Sequence, residues 1–451
     1  MVNLRGLVVL FGMFFFISCS SKQVDIATDI KEIKKEKISK KIEQKVEKKE
    51  VKIVPKVKEV TLNPNKKEFL GILKNDKYAS LCKEKDFYKR ILQTKEISLQ
   101  DKLLEELLLK YVDNLANSCI DIKDMNKKIA INQAKKIKNS YKVYRQKIDK
   151  ENILSLYRSM DLKIDAIFTP YTPKHPLFFK FISHLNDKSI SKKELKKLRL
   201  NIERLKLMKH FKTDNFIQLN IPSYSFHFYE NNTTSMNFGT VVGALEDQTP
   251  VFSSSLSYFI MNPTWNIPDS IAKKSIIPRM LKNKNYLSKK GIVIHKNYSL
   301  DSKKYKQSDI EWRQYLKKNV RYIPYKFIQL PSSTNGMGRV KFIFPNEYAV
   351  YMHDTIGTWR FKSSKKSIRA VSHGCVRLEH PKALIKHITK HYTKHTHTSV
   401  KKDYDSHRLK TVSLSKKLPL HVTYITAYFD KNDKLKFHND LYGYDSLQKI
   451  K

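Results

Sequence analysis

The sequence is short of glycine, cysteine and acidic residues. Its 451 residues include 11 glycines and 4 cysteines, and 43 acidic residues stand against 88 lysines and arginines. The cysteines lack zinc-finger spacing, and no glycine-rich RNA-binding signature is present. The apolar run from Leu7 to Ile17 is shorter than the roughly 20 residues that a membrane-spanning helix needs. These shortages argue against a zinc-finger protein, a glycine-rich RNA-binding protein and a spanning N-terminal helix.

The shortage of acids leaves a formal net charge of +45. Such a charge suits a nucleic-acid binder, a protein attracted to an anionic polymer or membrane surface, or a protein from a generally lysine-rich proteome. The lysines are spread along the whole chain and accompany many asparagines and isoleucines, which favours the third explanation. We therefore expect no nucleic-acid partner.

The chain is longer than one typical domain, so two folded units plus a tail are the default expectation. Arg5 and the apolar run after it predict a signal peptide over residues 1–18. Residues 19–65 are rich in Lys and Glu and predict a solvated tether. From 66 to 210, apolar residues recur at helix spacing and predict a helical scaffold domain. The positions that carry this pattern are Leu103, Leu104, Leu107, Leu108, Tyr111, Leu115, Leu195, Leu198, Ile202 and Leu205.

The apolar period changes to two near residue 215, which predicts a mostly β domain over 211–445. Tyr224, Phe226 and Phe228 alternate with polar residues, and a later alternating segment delivers His353 at the end of a strand. A last hairpin is predicted to pair 422–429 with 435–438. Residues 263–330 interrupt the strands, with helices predicted over 270–282 and 309–318. The predicted fold class is therefore α+β.

The segment Ser372-His373-Gly374-Cys375 has the composition of a nucleophile loop. Gly374 allows a turn that residues with a Cβ resist, so that Cys375 can lie at its apex. A free thiol has a pKa of about 8.5 and usually needs a neighbouring imidazole to activate it. His373 and His353 supply that group, whereas the alternative for Cys375 is a small buried apolar residue.

With the upstream His353, this segment resembles the catalytic signature of the L,D-transpeptidases, the YkuD-type family of bacterial cell-wall synthesis. The resemblance covers roughly residues 200–445 and points to the large members that carry a scaffold domain. Further segments that resemble this subgroup are 201–205, 220–222, 241–243, 248–253, 262–268, 338–342 and 441–445.

The resemblance implies a YkuD-like catalytic domain and assigns roles within the signature. Cys375 would be the nucleophile and His353 its base, while His373 orders the loop; the reverse assignment of the two histidines stays open. Backbone N–H groups near Gly374 and Cys375 would hold the oxyanion. In this family a backbone carbonyl, rather than a neighbouring acid such as Asp354, commonly orients the base.

Five residues are candidates for substrate binding. Arg377 could grip a stem-peptide carboxylate with two hydrogen bonds, although an ordinary surface arginine is the alternative. The other candidates are Tyr351, Ser372, Trp359 and Arg339. The aromatic residues could equally belong to the core.

The activity implied is a peptidoglycan L,D-transpeptidase that forms 3→3 cross-links through a cysteine acyl-enzyme and releases the terminal D-Ala. An L,D-carboxypeptidase would use the same residues with water as the acceptor, and a non-catalytic wall-binding lipoprotein is a third possibility. The substrate partner expected is the peptidoglycan stem peptide, with no cofactor. The 263–330 insertion would be a cap over the substrate groove or a surface insertion without a gating role.

The segment ending at Ser18-Cys19 resembles a bacterial lipobox. Acylation of Cys19 would anchor the protein to a membrane without a spanning helix. A periplasmic location follows from this expectation, on the outer membrane rather than the inner one because Ser20 and Ser21 follow the cysteine.

Cys82 and Cys119 remain once Cys19 and Cys375 have roles. In an oxidising compartment they could form a disulfide, which for a 37-residue loop is worth about 4 kcal/mol, or stay two buried thiols.

One further histidine group, at helix spacing, suggests a metal site, but interleaved lysines favour a solvated helix face. Its members are His387, His391, His395 and His397. We therefore expect no metal.

Overall fold

A computed structural model describes residues 63–131, 140–159, 163–320, 322–364 and 366–450. Residues Leu62–Lys451 form one compact unit. The predicted signal peptide, Cys19 and nearly all of the predicted tether lie outside the described residues. The predicted domain boundaries stay predictions.

Helices occupy most of the described chain before residue 207, and some of them begin with a capping side chain. The first begins with the Asn63 side chain accepting from the Asn65 amide and with Pro64 in the first turn. The last begins with a capping box formed by Ser191 and Glu194. These helices are α1 Pro64–Asn75, α2 Lys85–Gln93, α3 Ile97–Asn117, α4 Ile122–Ile131, α5 Lys150–Arg158, α6 Asp165–Phe168, α7 Leu177–Ser183 and α8 Lys192–Lys206. Among the helices of the described segments, none combines the length and the apolar character needed to cross a membrane.

The strands begin at Phe216, where the apolar period changes. They are β1 Phe216–Asn220, β2 Ser225–Glu230, β3 Thr233–Gly243, β4 Phe252–Met261, β5 Trp265–Ile267, β6 Ile292–His295, β7 Lys304–Tyr305, β8 Lys326–Gln329, β9 Val340–Ile343, β10 Met352–His353, β11 Ala370–Ser372, β12 Val376–Leu378, β13 Lys410–Thr423, β14 Ala427–Phe429 and β15 Leu435–Phe437. The later helices are α9 Asp269–Ile271, α10 Ile277–Lys282, α11 Tyr286–Lys289, α12 Trp359–Lys362, α13 Pro381–Tyr392, α14 His397–Asp405 and α15 Tyr444–Leu447.

The main sheet has the order β11-β3-β12-β10-β9-β4-β13-β1-β2, and β2 also pairs with β3. This second pairing closes eight of the strands into a barrel around a large apolar core. At the tip of the β2–β3 hairpin, Asn231 and Asn232 both have positive φ, as a tight two-residue turn requires. The mixed helical and β-rich architecture confirms the predicted fold class.

The predicted final hairpin is present but differs at its start. Residue Val422 belongs to the long barrel strand β13, and the hairpin itself joins β14 to β15. The chain leaves the barrel between β13 and β14. The hairpin then packs against the helices, and Ile425 and Ala427 are part of the helical core.

Residues 263–330 contain a separate small sheet of order β5-β8-β6-β7 with its own apolar core. The helix predicted over 270–282 contains a π-helical segment, Ala272–Ile276, before Pro278, which lacks the N–H that a regular turn uses. The continuous helix predicted over 309–318 is wrong. Only the short 3-10 turns Gln307–Asp309 and Trp312–Leu316 form there.

Candidate active site

The loop that carries Cys375 connects β11 to β12 at the end of the barrel. Gly374 has φ +106°, a conformation that favours glycine. Its N–H donates to Ser372 Oγ (3.2 Å), and that hydroxyl donates to the Cys375 carbonyl (2.6 Å). Ser372 is therefore buried within the loop, and the Gly374 N–H is engaged there rather than directed at a substrate. The oxyanion role of Gly374 stays a prediction.

Two residues outside the signature brace this loop. Thr249 Oγ1 donates to the Gly374 carbonyl and accepts from the Gly243 amide, both at 2.9 Å. Tyr442 accepts from the Thr249 amide (3.2 Å) and donates to the Gly243 carbonyl (2.8 Å). A Cβ on Gly243 would lie 2.2 Å from the Asp247 carbonyl oxygen, so only glycine fits this approach. In the sequence, segments 248–253 and 441–445 are notable only because they resemble the L,D-transpeptidase subgroup. The structure shows that they position the Cys375 loop.

The thiol of Cys375 is half-buried. Its Sγ lies 3.9 Å from the Ala349 carbonyl oxygen and also contacts Tyr351. Burial raises the pKa of this thiol, while Tyr351 and the charges of Lys341 and Arg377 oppose the rise. The thiol is therefore protonated near neutral pH in this structure, and reaction requires a base.

His353 ends β10, one strand away from the start of β12. Its Nδ1 donates to the Asp354 backbone carbonyl (2.6 Å), the kind of orienting contact that the resemblance implies. Burial, followed by the charge of Arg377, lowers the pKa of His353 to about 3, so the imidazole is neutral near neutral pH. The ring contacts Asp354 and Met337, whereas the thiol contacts Ala349 and Tyr351. The role of His353 as the base for Cys375 stays a prediction.

His353 is the centre of a row of three basic residues. The strand register places it opposite Arg377 on β12 and opposite Lys341 on β9. Registered neighbours in a sheet share a face, so the three side chains lie side by side. We call Lys341, His353 and Arg377 the basic row.

The basic row carries half-buried positive charge next to the thiol. The Lys341 Nζ lies 3.8 Å from the centroid of the Tyr351 ring, and partial burial lowers the pKa of this lysine. Partial burial also lowers the pKa of Arg377, and its Nε is buried without a hydrogen-bond partner. Within the described part of the chain, no ion pair joins a carboxylate to Lys341 or Arg377. Cations that are partly removed from water and lack a counter-ion are costly, and they suit a site that receives an anion.

His373 lies beside Asp247. Its Nε2 lies 3.9 Å from the Asp247 carboxylate, and about 44% of its side-chain surface is exposed. This placement fits the predicted loop-ordering role, which stays a prediction.

The other predicted substrate-binding residues are placed differently from one another. Tyr351 lies beside the thiol, and Trp359 is 57% exposed with the Arg360 guanidinium stacked on its ring at 4.2 Å. Arg339 is committed elsewhere. Its Nε donates to Asn262 (2.6 Å), its Nη2 donates to the Tyr404 carbonyl, and its guanidinium stacks on the Tyr404 ring. The structure thus brings Tyr351 and Arg377 to Cys375 and ties Arg339 to the neighbouring loop.

The 263–330 insertion reaches this site through Tyr298. The Tyr298 hydroxyl donates to the Ile267 carbonyl (2.8 Å), and the ring is close enough to Tyr351 to affect the pKa of that residue. The insertion therefore comes near Tyr351, whereas a gating role stays a prediction.

Among the predicted residues outside this site, Cys82 and Cys119 are joined by a disulfide. His387 lies 3.1 Å from Glu230 and 4.8 Å, ring to ring, from His391. Lys341, Thr249 and Tyr442 were not predicted as site residues. Lys341 is the polar member of an alternating strand, and this pattern is visible in the sequence. The sequence does not show that this strand pairs with the one that carries His353.

The fold and the site together define a barrel domain with a half-buried cysteine beside partly buried basic groups. The family model of the L,D-transpeptidase catalytic domain, YkuD, matches residues 214–401. This segment is therefore a YkuD-type L,D-transpeptidase catalytic domain.

The chain is also similar to a curated protein of Haemophilus influenzae named "Putative L,D-transpeptidase". The two are 28% identical over 249 residues, which is 55% of this chain and 48% of the relative. The chain thus spans about half the length of this curated relative.

Two solved structures align with about half of the chain. One is the Ldtfm–avibactam carbamoyl enzyme, at 10% identity and a TM-score of 0.19, covering 46% of this chain and 48% of that one. The other is an L,D-transpeptidase from Mycobacterium smegmatis, at 14% identity and a TM-score of 0.20, covering 47% and 59%.

Proposed function

We propose that the protein is a peptidoglycan L,D-transpeptidase that forms 3→3 cross-links through an acyl-enzyme on Cys375. One observation carries this proposal. A cysteine on a glycine-bearing loop of a YkuD-type domain lies beside a partly buried basic row that has no paired carboxylate among the described residues. The thiol supplies a nucleophile, and the basic row supplies both a base and positive charge for an anionic substrate.

In the first step, the Cys375 thiol loses its proton to the imidazole of His353, and its sulfur attacks the residue-three carbonyl of a tetrapeptide stem. The bond between that carbonyl and the terminal D-Ala nitrogen breaks, and His353 returns the proton to the leaving amine. A thioester remains on Cys375.

In the second step, a side-chain amine of another stem attacks the thioester. The nitrogen gives up a proton, the sulfur leaves as a thiolate, and the thiol is restored. Arg377 would hold a stem carboxylate with two parallel hydrogen bonds, and Lys341 would stabilise the thiolate. Water as the acceptor would yield the tripeptide instead, through the same residues.

Product analysis tests this proposal. Purified protein is incubated with tetrapeptide muropeptides, and the products are analysed by mass spectrometry. We expect cross-linked dimers with loss of D-Ala, and none from Cys375→Ala. Tripeptide monomers without dimers would establish a carboxypeptidase instead. An unreacted substrate, together with no mass increase on incubation with a carbapenem, would leave only the wall-binding role.

We further propose that the protein is exported and lipidated on Cys19, which places it in the periplasm on the outer membrane. The disulfide between Cys82 and Cys119 supports an oxidising compartment. Cells that express the full chain should incorporate labelled palmitate into it, and Cys19→Ala should abolish the label. Equal labelling of both proteins would contradict this localisation.

A further inference from the structure

A groove of about 630 Å³ lies outside the barrel and is not used by the chemistry above. Its floor is formed by outward-facing residues of β1, β2 and β3, and its far wall by the β14–β15 hairpin. This volume is in the range of pockets that bind small organic ligands.

The floor is a continuous row of hydrogen-bonded polar side chains. Asn220 Nδ2 donates to Ser223 Oγ (2.7 Å), and Ser223 and Ser225 share a hydrogen bond between their hydroxyls. Ser225 Oγ then lies 2.8 Å from His227 Nε2. Burial lowers the pKa of His227 to about 4, so the ring is neutral near neutral pH and carries one donor and one acceptor. The row is ordered before any ligand arrives.

The far wall presents a flat aromatic surface. The rings of Tyr428 and His438 are stacked at 4.1 Å with an interplanar angle of 9°. The hairpin that carries them is held to α7 by the Lys180–Asp433 ion pair and by stacking of Phe181 on Phe429. The wall is therefore fixed in place.

The lining combines hydroxyls, amides, a neutral imidazole and stacked rings with two cations, Lys180 and Arg369. Lys180 is paired with Asp433, and the Arg369 guanidinium donates to the Arg360 and Phe361 carbonyls, so both cations are already engaged. Among the residues that the structure describes around this groove, none carries a carboxylate. Such a surface fits a neutral, polyhydroxylated chain, because sugar hydroxyls both donate and accept hydrogen bonds and the C–H face of a sugar packs on an aromatic ring.

The groove borders the segment that follows the thiol in the chain. Gly239 lines it, and the Gly239 N–H donates to Glu379 Oε2 (2.7 Å), four residues after Cys375. Four residues of extended strand span about 13 Å. A three-residue stem spans about 10 Å when extended, and its link to the sugar adds a few more.

We infer that this groove binds the glycan strand that carries the donor stem while the residue-three carbonyl of that stem reaches Cys375. This inference rests on the proposed function, because only a stem acylated at residue three fixes the distance between thiol and sugar. It gives the enzyme a contact with the polymer that a free stem peptide lacks.

Binding of stem-free glycan chains tests the inference. Chains are prepared from sacculi with an amidase that removes the stems, and their dissociation constant is measured on the full-length Cys375→Ala protein. Thr234, an exposed groove residue, is changed to Trp to fill the groove. Thr411→Trp is the matched control, because Thr411 is an exposed threonine on β13 of the same sheet, outside the groove lining. We expect Thr234→Trp to raise the dissociation constant at least tenfold and Thr411→Trp to leave it unchanged.

A second variant, Tyr428→Ala, keeps the test valid if Thr234→Trp lowers the melting temperature, and it should also weaken binding. Equal binding by all variants, or no binding of glycan chains, overturns the inference. Competition by free stem peptides instead of glycan reassigns the groove to the acceptor stem. Carbapenem acylation of the protein with Cys375 intact reports on the proposed function separately, so the two failures are distinguishable.

Discussion

Buried charges on α8 lie next to opposite charges, whereas the half-buried cations Lys341 and Arg377 near Cys375 have no paired carboxylate among the described residues. On α8, the Lys206 Nζ is 2.9 Å from Glu203, and the Arg204 guanidinium is 2.7 Å from Asp445. Glu203 also accepts from the Cys119 amide at 2.6 Å, beside the disulfide. We call Glu203, Arg204, Lys206 and Asp445 the paired cluster.

The basic row has the opposite character. Lys341 and Arg377 are half-buried beside a neutral imidazole and a protonated thiol. A paired cluster of buried ions joins elements of a fold, because removing either partner leaves the other uncompensated. A row of cations without carboxylate partners gains little for the fold, which is consistent with the anionic substrate proposed above. The comparison thus contrasts charge that stabilises the fold with charge that the proposal assigns to substrate binding.

The largest expected effect comes from breaking the paired cluster. Glu203→Leu leaves the Lys206 ammonium buried without its carboxylate, and we expect a loss of about 3–5 kcal/mol in the free energy of unfolding. Denaturant unfolding measures it. Glu105→Leu is the control, because Glu105 pairs with Arg158 at the surface at 2.6 Å, and such pairs contribute less than about 1 kcal/mol.

Adding Lys206→Leu to Glu203→Leu removes both charges and should recover most of the loss, since an apolar pair can replace a buried ion pair. A single Glu203→Leu variant as stable as the Glu105→Leu control would show that the cluster is not structural.

Next in size is the removal of one cation from the basic row. Arg377→Gln should reduce kcat/KM with stem peptides by roughly 10- to 100-fold, the cost of one charge-assisted hydrogen-bond pair. The free energy of unfolding should stay the same or rise, in contrast to the paired cluster, because a buried charge without a counter-ion is relieved. Arg313→Gln, on the exposed surface of the insertion, is the control for both measurements. If Arg377→Gln lowers the free energy of unfolding and leaves kcat/KM unchanged, Arg377 stabilises the fold and does not bind the substrate.

Much of the barrel could be predicted from its local pattern. The period-two segments and the strand ending in His353 follow from alternation and turn residues. The pairings of β1 with β13 and of β3 with β12 could not be predicted, because they join strands that are far apart in the sequence and leave no trace in the local period. Where a helix is predicted over 309–318, the structure has the 3-10 turns Gln307–Asp309 and Trp312–Leu316, because apolar residues at helix spacing also suit short 3-10 turns.

The residues of the candidate site also divide into those that the sequence predicts and those that only the fold brings together. Cys375 and Gly374 are recognisable because the chemistry lies within one loop. Lys341 is not, because its position depends on the register between β9 and β10, which brings a residue twelve positions upstream beside His353. The bracing by Thr249 and Tyr442 likewise joins segments almost 200 residues apart. Contacts that depend on register or chain closure are set by the whole fold.

The neutral imidazole in the basic row predicts a pH dependence of stability. The pKa of His353 is about 3 in the folded protein and about 6.5 in an unfolded chain. Below pH 6.5 the unfolded state therefore binds a proton that the folded state does not, and stability falls as the pH falls toward 3. The loss per pH unit from this residue is at most about 1.4 kcal/mol. His353→Gln should reduce the slope of unfolding free energy against pH over this range, and an unchanged slope would show that His353 is protonated in the fold.

The smallest effect sharpens the comparison inside the basic row itself. The Lys341 charge opposes the rise in the pKa of Cys375, so Lys341→Met should move the pH profile of thiol alkylation by iodoacetamide upward by roughly one pH unit. Lys341→Arg keeps the charge and should move the profile less. Since both Lys341 and Arg377 act on the thiol, Arg377→Gln is measured alongside. A shifted alkylation profile in Arg377→Gln with no shift in Lys341→Met would show that Arg377, and not Lys341, stabilises the Cys375 thiolate. Lys341 would then act only in substrate binding.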